Sequence, residues 1–423
     1  MTTGCAKRAG ITAHPVFMCG FRPFFILTGA SAVVLMLAWL ASLAGWTVVN
    51  GLASLPGGAL FWHAHEMIFG FGGAAIAGFV LTAIPEFTNT QAISRRDLLI
   101  LVVLWLAARC AYAMAGWWPQ GLGLWPAAIF NLAFWLGLLS QVMPAIWGDA
   151  QRRQLGFGWS LAVLMGLQSG FFVSLGFGGD PLAWLHAAVG AMMVLIIVAA
   201  SRISMSVMNG RVEAGRPGAE PSSQAIYLAR PPRRKLAVFT VALCSAVEFF
   251  IGHNAITGWT ALAAAAAMLN LLNDWHIGRR LFGRWALMLY ASYWLLALGY
   301  AAMGLAWLGA PLTVAAGRHM LMAGAMALSI LTVMNIAGRI HAGRWLDRRI
   351  WVLLAAATLV VATLLRAMAG MGAMAVHAPV LWWVSGGLWT TVFAVYLWYA
   401  VPVLASVRPD GRTGCQGPDA GRD

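Results

Sequence analysis

A chain of 423 residues that is 61% hydrophobic and only 9% charged is not a soluble domain, which carries about 25% charged residues. Its formal charge of +14, from 27 Lys and Arg against 13 Asp and Glu, points towards nucleic acid only until the positions are read. The basic residues cluster between apolar runs, where they orient a membrane protein and meet anionic lipid, so the partner implied is membrane lipid and not nucleic acid. The five cysteines, Cys5, Cys19, Cys110, Cys244 and Cys415, are scattered, without CxxC or CxxCH. That excludes a disulfide framework, a zinc ribbon and covalent c-type haem. Cys110 and Cys244 fall in apolar runs and read as small core residues.

A membrane span needs about 20 apolar residues. On that basis the chain reads as an all-α polytopic membrane protein with roughly twelve transmembrane helices: 24–46, 62–85, 98–117, 122–146, 156–177, 182–206, 236–256, 258–275, 285–308, 313–338, 350–374 and 380–405. The first run is too long for a signal-peptide core and reads as a retained span. Arginines follow every second span, at Arg95 and Arg96, Arg152 and Arg153, Arg211 to Arg234, Arg279 to Arg284, Arg344 to Arg349, and Arg408. The alternate loops are nearly free of them, so both termini are expected in the cytoplasm. The segment 207–235, rich in Pro, Gly, Ser and charge, reads as a cytoplasmic basic linker. It divides an N-terminal six-helix half (1–206) from a C-terminal one (236–407), with a cytoplasmic tail at 408–423.

This topology sorts the nine histidines. His63, His65, His186, His253, His319 and His377 approach one face of the membrane from several helices. Imidazoles inside spans usually face a bundle interior, a cavity or a partner. Within FWHAHEMIFGFGG at 61–73, a rotation of about 100° per residue puts His63 and Glu66 on one face and His65 nearly opposite. Gly70, Ala74 and Gly78 continue the Glu66 face as a stripe of small residues. Two readings stay open: a helix-packing stripe with a satisfied His–Glu pair, or a flat cofactor such as haem with a histidine as axial ligand. In GRHMLMAGAM at 317–326, His319 shares a face with Met322 and Met326. A His/Met face can ligate haem or copper, and the adjacent Arg318 could pair with a propionate.

Buried charges are costly and need partners or a wet cavity. Arg109, Glu248 and Arg366 lie inside apolar runs, while Arg202 and Arg339 lie near helix ends, where they can snorkel. There is no Walker A motif and no HExxH, which argues against an ATP-driven pump and a zincin.

The phrases GFRPFF at 20–25, WHAHEMIFGF at 62–71, GFVLTAIPEFT at 78–88, LWLAAR at 104–109, RHMLMAGAMALSILTVMNIAGRIHAGR at 318–344 and RPDG at 408–411 together resemble the NnrS family over essentially the whole chain. The resemblance implies a multi-pass protein of the bacterial inner membrane, of roughly twelve helices, that contains haem and copper and is linked to nitric oxide and nitrosative stress. It supports His63, His65 and His319 as metal-site residues, with non-covalent b-type haem and copper as cofactors. Glu66 and Arg318 join the cofactor site, and His186 and His341 complete the candidate metal ligands. Arg22, Arg109 and Arg366 are candidate anion partners. Two other readings are kept: a secondary transporter built from two helical halves, and a quinol-linked NO reductase- or oxidase-like enzyme, for which nothing in the sequence specifies a quinone site.

Overall fold

Apolar runs of this length adopt the α-helix in hydrocarbon because every backbone N–H and C=O must find its partner inside the segment. The structure, a computed structural model, describes residues 11–118, 120–121, 123–213 and 227–415. Long helices follow in order: α1 Phe21–Leu43, α2 Gly58–Thr88, α3 Arg95–Ala115, α4 Trp125–Gly148, α5 Leu155–Phe177 and α6 Pro181–Met208. Then come α7 Pro231–Ile251 and α8 Ala255–Leu272, α9 Arg284–Trp307, α10 Val314–Ile340 and α11 Trp351–Met368, and α12 Ala378–Leu404. Among the described residues no strand forms, apart from one isolated bridge between Leu312 and Met371.

Eleven of these helices are long and apolar enough to cross a membrane. The exception is α7, at the place of the expected span 236–256. It is 21 residues long, but Arg233, Arg234, Lys235 and Glu248 leave no 18-residue stretch of it with fewer than three charges. The helix ends follow the local sequence. Ser94, Asp180 and Asn254 accept backbone N–H groups at the starts of α3, α6 and α8, as capping residues do.

Helices adjacent in sequence pack on one another from α3 through α9, and α12 returns to pack on α1. α2 and α10 lie innermost. Most of α2's apolar stretch is buried, whereas α4, α5 and α12 turn two thirds or more of theirs outward. Small residues make this possible. A Cβ on Gly78 would lie 2.7 Å from the Phe25 ring, and one on Gly317 would lie 2.5 Å from the Gly299 carbonyl. The second contact brings α9 and α10 backbone to backbone beside Arg318 and His319.

The linker 207–235 is described only at its ends. Asn209 clasps the Tyr227 backbone through both its N–H and its C=O, at 2.9 Å each; residues 214–226 lie outside the described residues. The first and last described segments also meet. Arg22 of the GFRPFF phrase donates to the carbonyls of Leu404 and Ser406, at 3.1 and 2.6 Å, which is the expected place for a cation at a helix C-terminus. Cys19 and Cys415 form a disulfide with their Cα atoms 5.7 Å apart across 396 residues. This corrects the reading of the cysteines as free of disulfides: so long a separation leaves no spacing pattern to recognise. Cys244 is buried as expected, but Cys110 is exposed on α3.

In the turn between α10 and α11, Asp347 accepts hydrogen bonds from Arg349 and Trp351 and faces Arg339. Burial raises its pKa, but these hydrogen bonds and the Arg339 charge outweigh it and hold the carboxyl at about 2. A carboxyl depressed below its ordinary value of 3.8 stabilises fully above that pH, and the contribution fades as pH falls towards 2. Asp347→Asn is expected to lower stability at pH 7 by about 1 kcal/mol, since Arg349 is half exposed and the pair is partly screened. Thermal unfolding should show the gap to wild type closing as pH falls from 4 to 2.

Candidate functional site

The WHAHE segment opens α2 and passes directly into a π-helical stretch, Glu66–Gly72. A π-helix leaves carbonyls without their usual i+4 donor, and side chains of α3 supply substitutes. Arg109 donates to the Phe69 carbonyl and Trp105 to the Gly70 carbonyl, both at 3.2 Å. Arg109 also forms an ion pair with Glu66 at 2.8 Å. Glu66 in turn accepts from His65 Nδ1 at 2.9 Å. The Gln168 amide of α5 donates to His65 Nε2 at 2.8 Å and to Asn131 Oδ1 of α4 at 2.9 Å. Arg109 reaches Asn131 Oδ1 as well, at 2.5 Å, and Trp135 donates to Gln168 Oε1 at 2.5 Å. Donors and acceptors alternate without conflict, so the network assigns the His65 proton to Nδ1. Phe171 stacks on the His65 ring, with Phe69, Tyr112 and Phe172 around it. Neither nitrogen of His65 is left unengaged. The expected pairing of His63 with Glu66 is replaced by one of His65 with Glu66.

His63 is arranged differently. Its ring stacks on Trp39 of α1 with centroids 4.4 Å apart, and its Nδ1 is buried without a hydrogen-bond partner. The same local design recurs in α10, where His319 precedes a second π-helical stretch, Met320–Met326, and Thr363 of α11 donates to the Ala323 carbonyl at 3.0 Å. His319 Nδ1–H donates to the Ala315 carbonyl at 2.7 Å. That bond fixes the tautomer and leaves Nε2 with its lone pair free, the arrangement that orients a metal-ligating imidazole. His63 and His319 act on each other electrostatically, and Arg366 of α11 acts on both. Arg366 lies over the Trp382 ring, 5.8 Å from its centroid. Among the described residues no carboxylate pairs with it. Each imidazole thus keeps a nitrogen available, within electrostatic reach of a cation that has no carboxylate partner among the described residues.

A second cluster lies across α10. Arg318 turns away from His319 and forms an ion pair with Glu248 of α7. Glu248 also faces His186 Nδ1 of α6 at 3.4 Å and His253 Nε2 at 3.1 Å. One ligand atom each from His186, Glu248 and His253 lies within 4.8 Å of the others, a grouping able to hold a metal ion. Two imidazoles and a carboxylate suit a divalent transition metal. Glu248 is buried while His253 is 54% exposed, so the cluster is reachable from the surface.

The sequence profile of the NnrS protein family matches residues 15–408. The chain belongs to the NnrS family. No curated protein matches it significantly.

The matched span of this NnrS-family protein contains both clusters. Several expected site residues stand apart from them. Arg22 holds the end of α12. Arg202 donates to the Arg153 carbonyl at 2.9 Å and packs on Phe87 and Phe157, and Arg339 donates to the Trp345 carbonyl at 2.8 Å. His341 lies at the opposite, arginine-rich end of α10, with its Nδ1 on the Cys415 carbonyl at 2.6 Å. Sequence reasoning passed over Asn131 and Gln168, although an amide inside an apolar span was the available signal. It noted His253 without assigning it to a site, because a histidine at a helix end carries no sign of its partner 67 residues earlier.

Proposed function

We propose that this NnrS-family protein is a haem- and copper-binding protein of the bacterial inner membrane that acts in the nitric oxide response. The reading is carried by two imidazoles, His63 of α2 and His319 of α10, that keep ring nitrogens unengaged within electrostatic reach of Arg366, which has no carboxylate partner among the described residues. An uncompensated cation disfavours a bare metal ion there and favours a group that brings its own acids, as haem does with its propionates. His63 and His319 would hold the haem, and Arg366 would take a propionate. Haem iron supplies a centre that binds nitric oxide. The cluster of His186, Glu248 and His253 carries the carboxylate that a cation needs and is the better copper site. On this reading His65 is a positioning residue: with Glu66, Arg109, Asn131 and Gln168 it holds the first turns of α2, and therefore His63, in place.

The test is the visible spectrum of the detergent-purified protein, dithionite-reduced minus oxidised, with metal analysis of the same sample. The expected result is a Soret band with α and β bands that shift when nitric oxide is added, together with bound copper. A colourless, metal-free protein from haem-replete cells would overturn the proposal and return the buried charges to a transport role.

A further inference from the structure

At the arginine-rich end, far from both histidine clusters, α2, α6 and α10 enclose a cavity of about 380 Å³. Its wall includes Phe21, Phe79, Glu86, Arg202, Arg211 and His341. It runs on past Phe25, Phe79 and Val333 into a narrower apolar slot of about 70 Å³, lined by Ile76, Met192, Met326 and Met334. From Met326 to Ile340, α10 follows the two cavities for about 20 Å at 1.5 Å per residue. The space is polar at its mouth and apolar at depth.

The polar groups at the mouth are specific in kind. His341 Nδ1–H is committed to the Cys415 carbonyl, which the Cys19–Cys415 disulfide holds against α1. In the neutral ring, with Nδ1 the donor, Nε2 is an acceptor. It faces Glu86 Oε2, a second acceptor, at 3.5 Å. A hydroxyl placed between these two acceptors would satisfy both; otherwise water, which reaches the 58%-exposed Glu86, serves. The aromatic rings of Phe21, Phe79 and Phe87 line the same space. Arg202, the deeper cation, already donates to the Arg153 carbonyl.

We propose that this cavity binds an isoprenoid quinol, with its ring at the His341–Glu86 mouth and its tail in the slot between α2, α6 and α10. A quinol brings the hydroxyl donors that the two acceptors lack, a flat ring for the phenylalanines and an apolar chain for the slot. A phosphate headgroup brings only acceptors and would meet the Glu86 carboxylate unfavourably. The proposal does not depend on the haem and copper reading, since it concerns other residues at the other end of the helices.

The experiment is anaerobic titration calorimetry of full-length purified protein with decylubiquinol, repeated with decylubiquinone. Saturable binding is expected, tighter for the quinol because the quinone has no hydroxyl to donate. Glu86→Ala, an exposed position that leaves the fold intact, and His341→Leu should each weaken quinol binding about tenfold, the usual scale for losing one such hydrogen bond. Absence of saturable binding, or binding unchanged in both variants, would overturn the proposal. So would binding that phosphatidylglycerol displaces and Arg211→Ala abolishes while Glu86→Ala does not, which would make this an acidic-lipid site. Loss of haem from the His341→Leu protein would make it a haem pocket and overturn the proposal equally.

Discussion

Replacing Arg109 by Leu is expected to cost about 3–5 kcal/mol of stability, because it leaves a carboxylate buried without its cation. Glu66 is 1% exposed and Arg109 9%, so water cannot take over the lost interaction. The same substitution removes the donor to the Phe69 carbonyl and leaves Asn131 Oδ1 with Gln168 alone and Glu66 with His65 alone, so the buried groups are under-satisfied as well. Glu66→Leu should be comparably damaging, since it strands the guanidinium. The double variant Glu66→Leu/Arg109→Leu is expected to lose clearly less than the sum of the two, since neither charge is then left alone. Fluorescence-monitored thermal unfolding in detergent measures all four proteins. Single variants that each lose under about 1 kcal/mol would mean that water or another partner reaches the pair, and the closed network would not hold α2 as described.

The second large effect falls on haem content. His63→Ala and His319→Ala are each expected to reduce bound haem several-fold and to alter the visible spectrum of whatever remains, because each removes an imidazole proposed as a ligand. Arg366→Leu should weaken haem retention by about tenfold through the loss of one charge-assisted hydrogen bond, without changing the positions of the bands. His65→Ala separates positioning from ligation. It breaks the bonds to Glu66 and Gln168 and should lower thermal stability, while the haem that remains keeps the wild-type spectrum. Full haem occupancy in both the His63 and the His319 variants would remove those residues from the site. A changed spectrum in the His65 variant would instead make His65 a ligand.

The sequence by itself determined the all-helical class and the order and approximate ends of most of the helices, because in hydrocarbon each helix satisfies its own backbone and therefore announces itself in its own composition. The expected spans 285–308 and 350–374 meet α9, Arg284–Trp307, and α11, Trp351–Met368. The one ambiguous helix, α7, is ambiguous for the same reason, since three arginines and lysines and one glutamate share its 21 residues. The residue types of the site were also legible: imidazoles and charges inside apolar runs have to be used for something. Their partners were not legible. A rotation of about 100° per residue joins His63 to Glu66. Gln168 and Arg109, respectively 103 residues from His65 and 43 from Glu66, bind the neighbouring pair instead and leave His63 stacked on Trp39 with its Nδ1 unpartnered. Arg318 stands beside His319 in sequence, yet it turns to Glu248, 70 residues away, and divides the histidines into two clusters. The pairing of Cys19 with Cys415 is of the same kind. Which polar group meets which depends on how the helices close around α2 and α10. That closure is decided by packing between segments distant in the chain, where small residues such as Gly78 and Gly317 permit close approach.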